Sequence, residues 1–215
     1  MINKELQKRI LSSIILIPLS LFFIIKGSAF FILFLFILFF ISSLEWLNMV
    51  KKLQFKILGI LFLIFSLYSA FFYRQMGLEF FLLIIIACVS TDLGGYIFGK
   101  LFKGPKLIKI SPNKTYSGMV GGFLLSIILS YLFAFKFTPS EVINNTYIGD
   151  LKFIILVLII SSISQIGDLI ISFFKRSSKI KNTGKIFPGH GGMLDRIDGM
   201  IFVFPVLYLI KIIIS

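Results

Sequence analysis

Few residues in this chain can do chemistry: of 215, only nine are Asp or Glu and one is His. Two of the acids sit where an acid is costly. Asp92 closes the apolar run FLLIIIACVSTD, and Asp168 lies inside ILVLIISSISQIGDLIISFF. A charge at membrane depth costs about 2.5–3.5 kcal/mol on insertion scales, so it ordinarily faces a cavity and has a partner. For Asp92 a pairing that merely joins helices accounts for the residue as well as a function does. Asp168 has more around it. Ser172 follows four residues later and Lys175 seven, which puts the three on one helix face, with Arg176 beside it. That face begins with a carboxylate and ends with two cations. Asp195 and Asp198 are three apart, so they share a face if a helix begins there, and Arg196 then points elsewhere. Acids at a helix start are also favourable in themselves, by about 0.3–1 kcal/mol.

Three carboxylates and a hydroxyl among many Lys and Arg suit a hard cation bound together with phosphate. Magnesium takes oxygen ligands, usually one or two carboxylates, and completes its shell with water and substrate phosphates. Flanking cations would neutralise charge that develops during transfer of a phosphorus group. The turn Pro188-Gly189-His190-Gly191-Gly192 fits the same purpose. Glycines let backbone N–H groups approach an anion, and a helix N-terminus just beyond helps hold it. His190, Gly191 and Gly192, with the loop cations Lys181 and Arg196, are therefore candidates for binding substrate phosphate. A lone loop histidine is also a common structural hydrogen-bonder, and zinc is disfavoured by one His and one Cys. An earlier basic stretch, GKLFKGPKLIKISPNKTYSGMVGG, repeats the theme. Ser111-Pro112-Asn113 reads as a turn, and Lys114 is a further phosphate candidate. Gly118, Gly121 and Gly122 serve either anion approach or close helix packing. No Walker A spacing occurs.

The elements that must position these residues are membrane helices. The chain is 58% hydrophobic with a mean hydropathy of +1.02, well above a soluble domain. About seven apolar runs are long enough to read as spans: 10–25, 30–44, 57–73, 80–98, 119–135, 153–174 and 199–214. They lack the alternation of a barrel, so the expected fold is all-α, a polytopic membrane helix bundle. The first run, without a small-x-small cleavage site, reads as a retained anchor. Residues 1–78 are expected to be anchor helices and 79–215 a catalytic membrane domain with basic loops 99–118 and 175–198. Most of the 22 Lys and Arg fall on one side of such a bundle, in the N-terminal tail, around Lys51, Lys52 and Lys56, and in the two long loops. The positive-inside rule puts that side, and the N-terminus, in the cytoplasm. A net charge of +13 is then an orientation signal and an attraction to anionic lipid, with no nucleic acid implied. Cys88 is the only cysteine, so there is no intrachain disulfide. The glycines of the fifth span make a homodimer through it a candidate assembly.

The stretch QIGDLIISFFKRSSKIKNTGKIFPGHGGMLDRID, residues 165–198, resembles the signature of phosphatidate cytidylyltransferases, the CDP-diacylglycerol synthases. That signature runs S-x-x-K-R, a basic spacer, K-D-x-G, then P-G-H-G-G-x-x-D-R-x-D. TDLGGYIFGKLFKGPKLIKISPNKTYSGMVGG looks like the other landmark of that family, D-x-x-A-Y-x-x-G followed by S-P-x-K-T-x-E-G. Two positions depart: Asn182 stands where the family has Asp, and Ser117 where it has Glu. The resemblance implies a bacterial inner-membrane enzyme that needs magnesium and acts from the cytoplasmic side. CTP and phosphatidate would be its substrates, with membrane lipid around it. It implies that Asp168 and Asp195 hold the metal and that Asp198 supports them or takes a second cation. Lys175 and Arg176 would hold phosphate, and Ser172 would donate a hydrogen bond. Competing readings are a CTP-dependent lipid kinase, which would need a general base for its alcohol acceptor, an ion or solute transporter, and an inactive scaffold motivated by Asn182 and Ser117.

Overall fold

A computed structural model describes residues 4–108, 111–137, 150–187 and 191–214. Long helices occupy the expected runs: α1 Lys4–Lys26, α2 Ser28–Met49, α3 Leu53–Met76, α4 Leu78–Phe102, α5 Tyr116–Phe137, α6 Asp150–Ser177 and, after the single turn α7 Leu194–Ile197, α8 Met200–Ile214. Among the described residues, five are long and apolar enough to cross a membrane, α2 to α6. The first and last expected spans correspond to the apolar stretches Ile14–Lys26 and Met200–Ile213, which fall below that length among the described residues.

The all-α membrane bundle carries one small addition. The first basic loop folds back as an antiparallel ribbon, β1 Lys106–Ile108 against β2 Ser111–Thr115, with Lys106 opposite Thr115 and Ile108 opposite Ser111. Ser111, Pro112 and Asn113 therefore lie in a strand rather than in a turn. A two-stranded ribbon has a free edge along each strand, where a proline's missing N–H costs no ladder bond.

Helix ends are marked by local chemistry. Gly27, at φ +65°, turns the chain between α1 and α2. The Arg74 guanidinium fills the space where a side chain at 27 would sit, and it caps α1 by donating to Ile24 O (2.8 Å) and Ile25 O (3.2 Å). A cation at a helix C-terminus also meets the negative end of the dipole. Thr115 N-caps α5, its Oγ1 accepting Gly118 N–H at 3.1 Å.

Two packing devices position the site. α4 and α5 lie glycine to glycine. A Cβ at Gly94 would enter the Gly121–Gly122 backbone, and one at Gly118 would strike Gly95 O. Close helix packing is thus what these glycines do, as small residues do between membrane helices. Their face of α5 is used inside the chain. A buried hydroxyl chain, Thr91–Ser161 (2.8 Å) and Ser161–Ser126 (2.7 Å), then ties α4, α6 and α5 together. Around it the core is apolar, with Ile84, Ala87, Cys88, Val157, Ile160 and Val203 fully buried.

Candidate active site

α6 supplies three of the residues. Its period lines up Asp168, Ser172 and Lys175, and Ser172 Oγ donates to Asp168 Oδ1 at 3.3 Å. β2 supplies a fourth. Lys114 Nζ lies 2.5 Å from Asp168 Oδ2 and donates to Gln165 O at 3.4 Å. Asp168 and Lys114 line a cavity of about 220 Å³ together with Asp92, Thr91, Thr115 and Gln165. The ribbon and the glycine-packed pair α4–α5 thus bring Asp92 and Lys114 to the same cavity as Asp168. Asp92, left open between two readings, borders the candidate site, where the charges of Asp168, Lys114 and Arg196 all reach it.

The second group comes from the turn at α7. Lys175 passes over Asp168, on its own helix, and reaches Asp195 Oδ1 at 2.8 Å and Asp198 Oδ2 at 4.0 Å. Asp195 Oδ2 accepts three further donors: Thr183 N–H (2.8 Å), Gly192 N–H (3.0 Å) and Thr183 Oγ1 (3.1 Å). Burial pushes the Asp195 carboxyl up. Lys175 and the two N–H donors outweigh it and hold the group below the ordinary carboxylate value. Asp198 goes the other way. Burial, then the negative charge of Asp168, hold it well above that value, and Lys175 offsets part of the effect. Asp168, Asp198, Lys175 and Asp195 therefore form one continuous series of opposed and like charges.

Of the glycine turn, Gly191 and Gly192 are described, and both of their N–H groups are bonded within the chain. Gly191, at φ +86°, exchanges backbone bonds with Phe187, and Gly192 N–H is spent on Asp195. The acceptor of the Gly192 N–H is thus the chain's own carboxylate. His190 lies outside the described residues. Arg176 is exposed, its guanidinium donating to Ile180 O at 3.4 Å. Lys181 and Arg196 are exposed as well. The predicted set thus divides: Asp168, Ser172, Lys175, Asp195, Asp198 and Lys114 converge, while Arg176 and Lys181 stay at the surface.

One residue of this neighbourhood was missed in the sequence. Glu45, near the end of α2, is only 4% exposed. Its carboxylate accepts Met193 N–H (2.8 Å), Leu194 N–H (2.9 Å) and Thr183 Oγ1 (2.8 Å). The signal was present, since Glu45 ends an apolar run much as Asp168 interrupts one. α2, assigned to the anchor part, therefore also holds the site loop.

The donors fit a hard cation in kind. Asp92 and Asp168 line the cavity, the charge of Asp168 acts on Asp198, and Asp195 Oδ1 carries a single cation, Lys175. Among the described residues no three ligating side chains are arranged to hold a metal by themselves. Magnesium does not require such a cage, because waters and substrate phosphates supply the rest.

A family model, the cytidylyltransferase family, matches residues 55–213. The phosphatidate cytidylyltransferase of Rickettsia felis is 35% identical to this chain, over 98% of it and 94% of that protein. The one from Rickettsia conorii is 34% identical over 98% of this chain and 93% of its own length. The phosphatidate cytidylyltransferase of Staphylococcus saprophyticus is 39% identical over 140 residues, 65% of this chain and 51% of that protein.

Proposed function

The chain belongs to the cytidylyltransferase family, and we propose that it transfers the cytidylyl group of CTP to phosphatidate, giving CDP-diacylglycerol and pyrophosphate. The observation that carries the reading is the convergence of Asp168, Ser172, Lys175, Asp195 and Asp198 with Lys114, from three separate segments, with Asp168 and Lys114 lining one cavity. An oxygen of the lipid phosphate forms a bond to the α-phosphorus of CTP, and the bond from that phosphorus to the bridging β-phosphate oxygen breaks. The attacking oxygen is already anionic, so no general base is needed, and no candidate base is required of this site. What the protein must do is hold two polyanions against their repulsion in a reactive geometry.

Lys114 and Lys175 suit that work. Each is an ammonium held by a carboxylate, Asp168 and Asp195 respectively, and can be shared with an incoming phosphate. Arg176, at the exposed end of α6, offers a guanidinium where a soluble nucleotide would arrive. Ser172 orients Asp168. Magnesium would be held by Asp168 and Asp195 with Asp198 beside them, and when bound it supplies charge neutralisation on the phosphates. The basic loops 99–118 and 175–198 favour a cytoplasmic site, and the bacterial relatives favour an inner membrane.

The test uses purified protein in detergent with phosphatidate, magnesium and radiolabelled CTP. Label entering lipid from the α-phosphate and not from the γ-phosphate is the expected result. Label from the γ-phosphate with a supplied alcohol would instead identify a kinase. No transfer from either position by folded protein would overturn the enzyme reading.

A further inference from the structure

We infer that Glu45 is a positioning residue, a carboxylate on membrane helix α2 that clamps both ends of the 183–194 loop and so places Asp195 and Lys175. The two ends meet on it. Thr183 Oγ1, at the start of the loop, donates to Glu45 Oε2, while Met193 N–H and Leu194 N–H, at its end, donate to Oε1 and Oε2. Both carboxylate oxygens are therefore used as acceptors, and the two N–H groups are orphan donors of the α7 turn, which a carboxylate suits. Thr183 Oγ1 also lies 3.1 Å from Asp195 Oδ2, so Glu45 and Asp195 share one hydroxyl between them.

Space has been cleared for this contact. A Cβ at Gly184 or Gly192 would run into the Glu45 carboxylate. The backbone thus comes closer to Glu45 than any other residue type would allow. The end of α2 is itself anchored: Trp46 packs edge-on against Phe174 of α6 with centroids 4.9 Å apart, and Ser178 Oγ donates to Met49 O at 2.6 Å. A carboxylate on an anchored helix end is thus set against Thr183, Met193 and Leu194. The clamp touches neither Asp168 nor Lys114, so it acts on one half of the site only.

The activity readout rests on the proposed function; the structural readout does not. Glu45→Gln keeps the shape but turns one acceptor into an NH2 that faces a donor. Thr183→Val removes the shared hydroxyl and leaves Glu45 in place. Each full-length variant, in detergent, would be compared with the unmodified protein by elution and melting, by tryptic cleavage at Lys181 and Lys185, and by the kcat and KM for CTP. Expected are a normal elution profile, loop cleavage faster by about tenfold or more, and kcat lower by about 10- to 100-fold with KM within about threefold, the pattern of displaced groups rather than lost binding. Cleavage and kcat unchanged in either folded variant would overturn the assignment. If Glu45→Gln does not fold, Thr183→Val decides. If the unmodified protein transfers no label, the proposed function fails and the cleavage comparison alone decides on the clamp.

Discussion

Adding one methyl group at Gly94 should separate the two halves of the cavity. The Ala Cβ would lie 2.8 Å from Gly122 Cα and 2.9 Å from Gly121 C, and closer still to Gly121 O. All three are backbone atoms of a packed helix and cannot rotate away. Carbon atoms sit best at about 3.5–4.0 Å, so α4 and α5 must part by roughly 1 Å. Overpacking of this kind costs about 1–3 kcal/mol. The helical preference for Ala over Gly offsets about 1 kcal/mol of it. Gly94→Ala should therefore lower stability by up to about 2 kcal/mol, a drop of up to about 8 °C in Tm for a chain of this size. Asp92 lies on α4, and Lys114 lies on β2, which leads directly into α5, so turnover should fall about 100-fold, the scale of a 1 Å misplacement. The control is one residue away. A Cβ at Gly95 meets only Gly118 O, at 3.8 Å, an ordinary contact. Gly95→Ala should melt with the unmodified protein or up to about 1 kcal/mol above it. Thermal unfolding in detergent and the CTP label assay measure both effects. A Gly94→Ala protein that melts and turns over like Gly95→Ala would refute the claim that backbone contact at this glycine sets the cavity.

Further expectations follow from the charge series. Asp168→Ala and Asp195→Ala should each abolish label transfer while the protein still inserts and elutes normally; full activity in either would remove that residue from the proposed metal site. Lys175→Met leaves two carboxylates facing each other without their cation, both sides of the 2.8 Å pair being about 10% exposed (11% and 9%). Breaking a buried pair costs about 3–5 kcal/mol, so a lowered Tm and a turnover below about 1% should be seen together. Gly191→Ala combines a left-handed backbone at φ +86° with a Cβ that would sit 2.7 Å from Asp195 Oδ2. The conformational penalty alone is about 1–2 kcal/mol, and the displaced carboxylate should lower kcat at least about tenfold, measurable by the same label assay.

How much of this was legible before folding depends on distance along the chain. The helices were, because apolar length and period are local properties, and α2 to α6 lie where the apolar runs are. The alignment of Asp168 with Ser172 was legible for the same reason, since one helical turn brings position 168 to 172 whatever else the chain does. The pairings were not. Lys175 shares a face with Asp168 but bonds across the loop to Asp195. Asp168 takes its cation from Lys114, on a ribbon that sequence reading placed in a turn.

By itself, then, the sequence determined a membrane helix bundle, the face of α6 that carries the acid, and the family that its motifs mark. Only the tertiary structure decided which charges neutralise which. Spacing fixes neighbours within a helix, but an ammonium on a flexible stem goes to whichever carboxylate the packing brings within reach. It also decided that the Gly192 N–H goes to Asp195, and that Glu45, 138 residues before Thr183, accepts the Thr183 hydroxyl. Both depend on how closely separate backbones approach, and that distance is set by the packing of α2, α6 and α7.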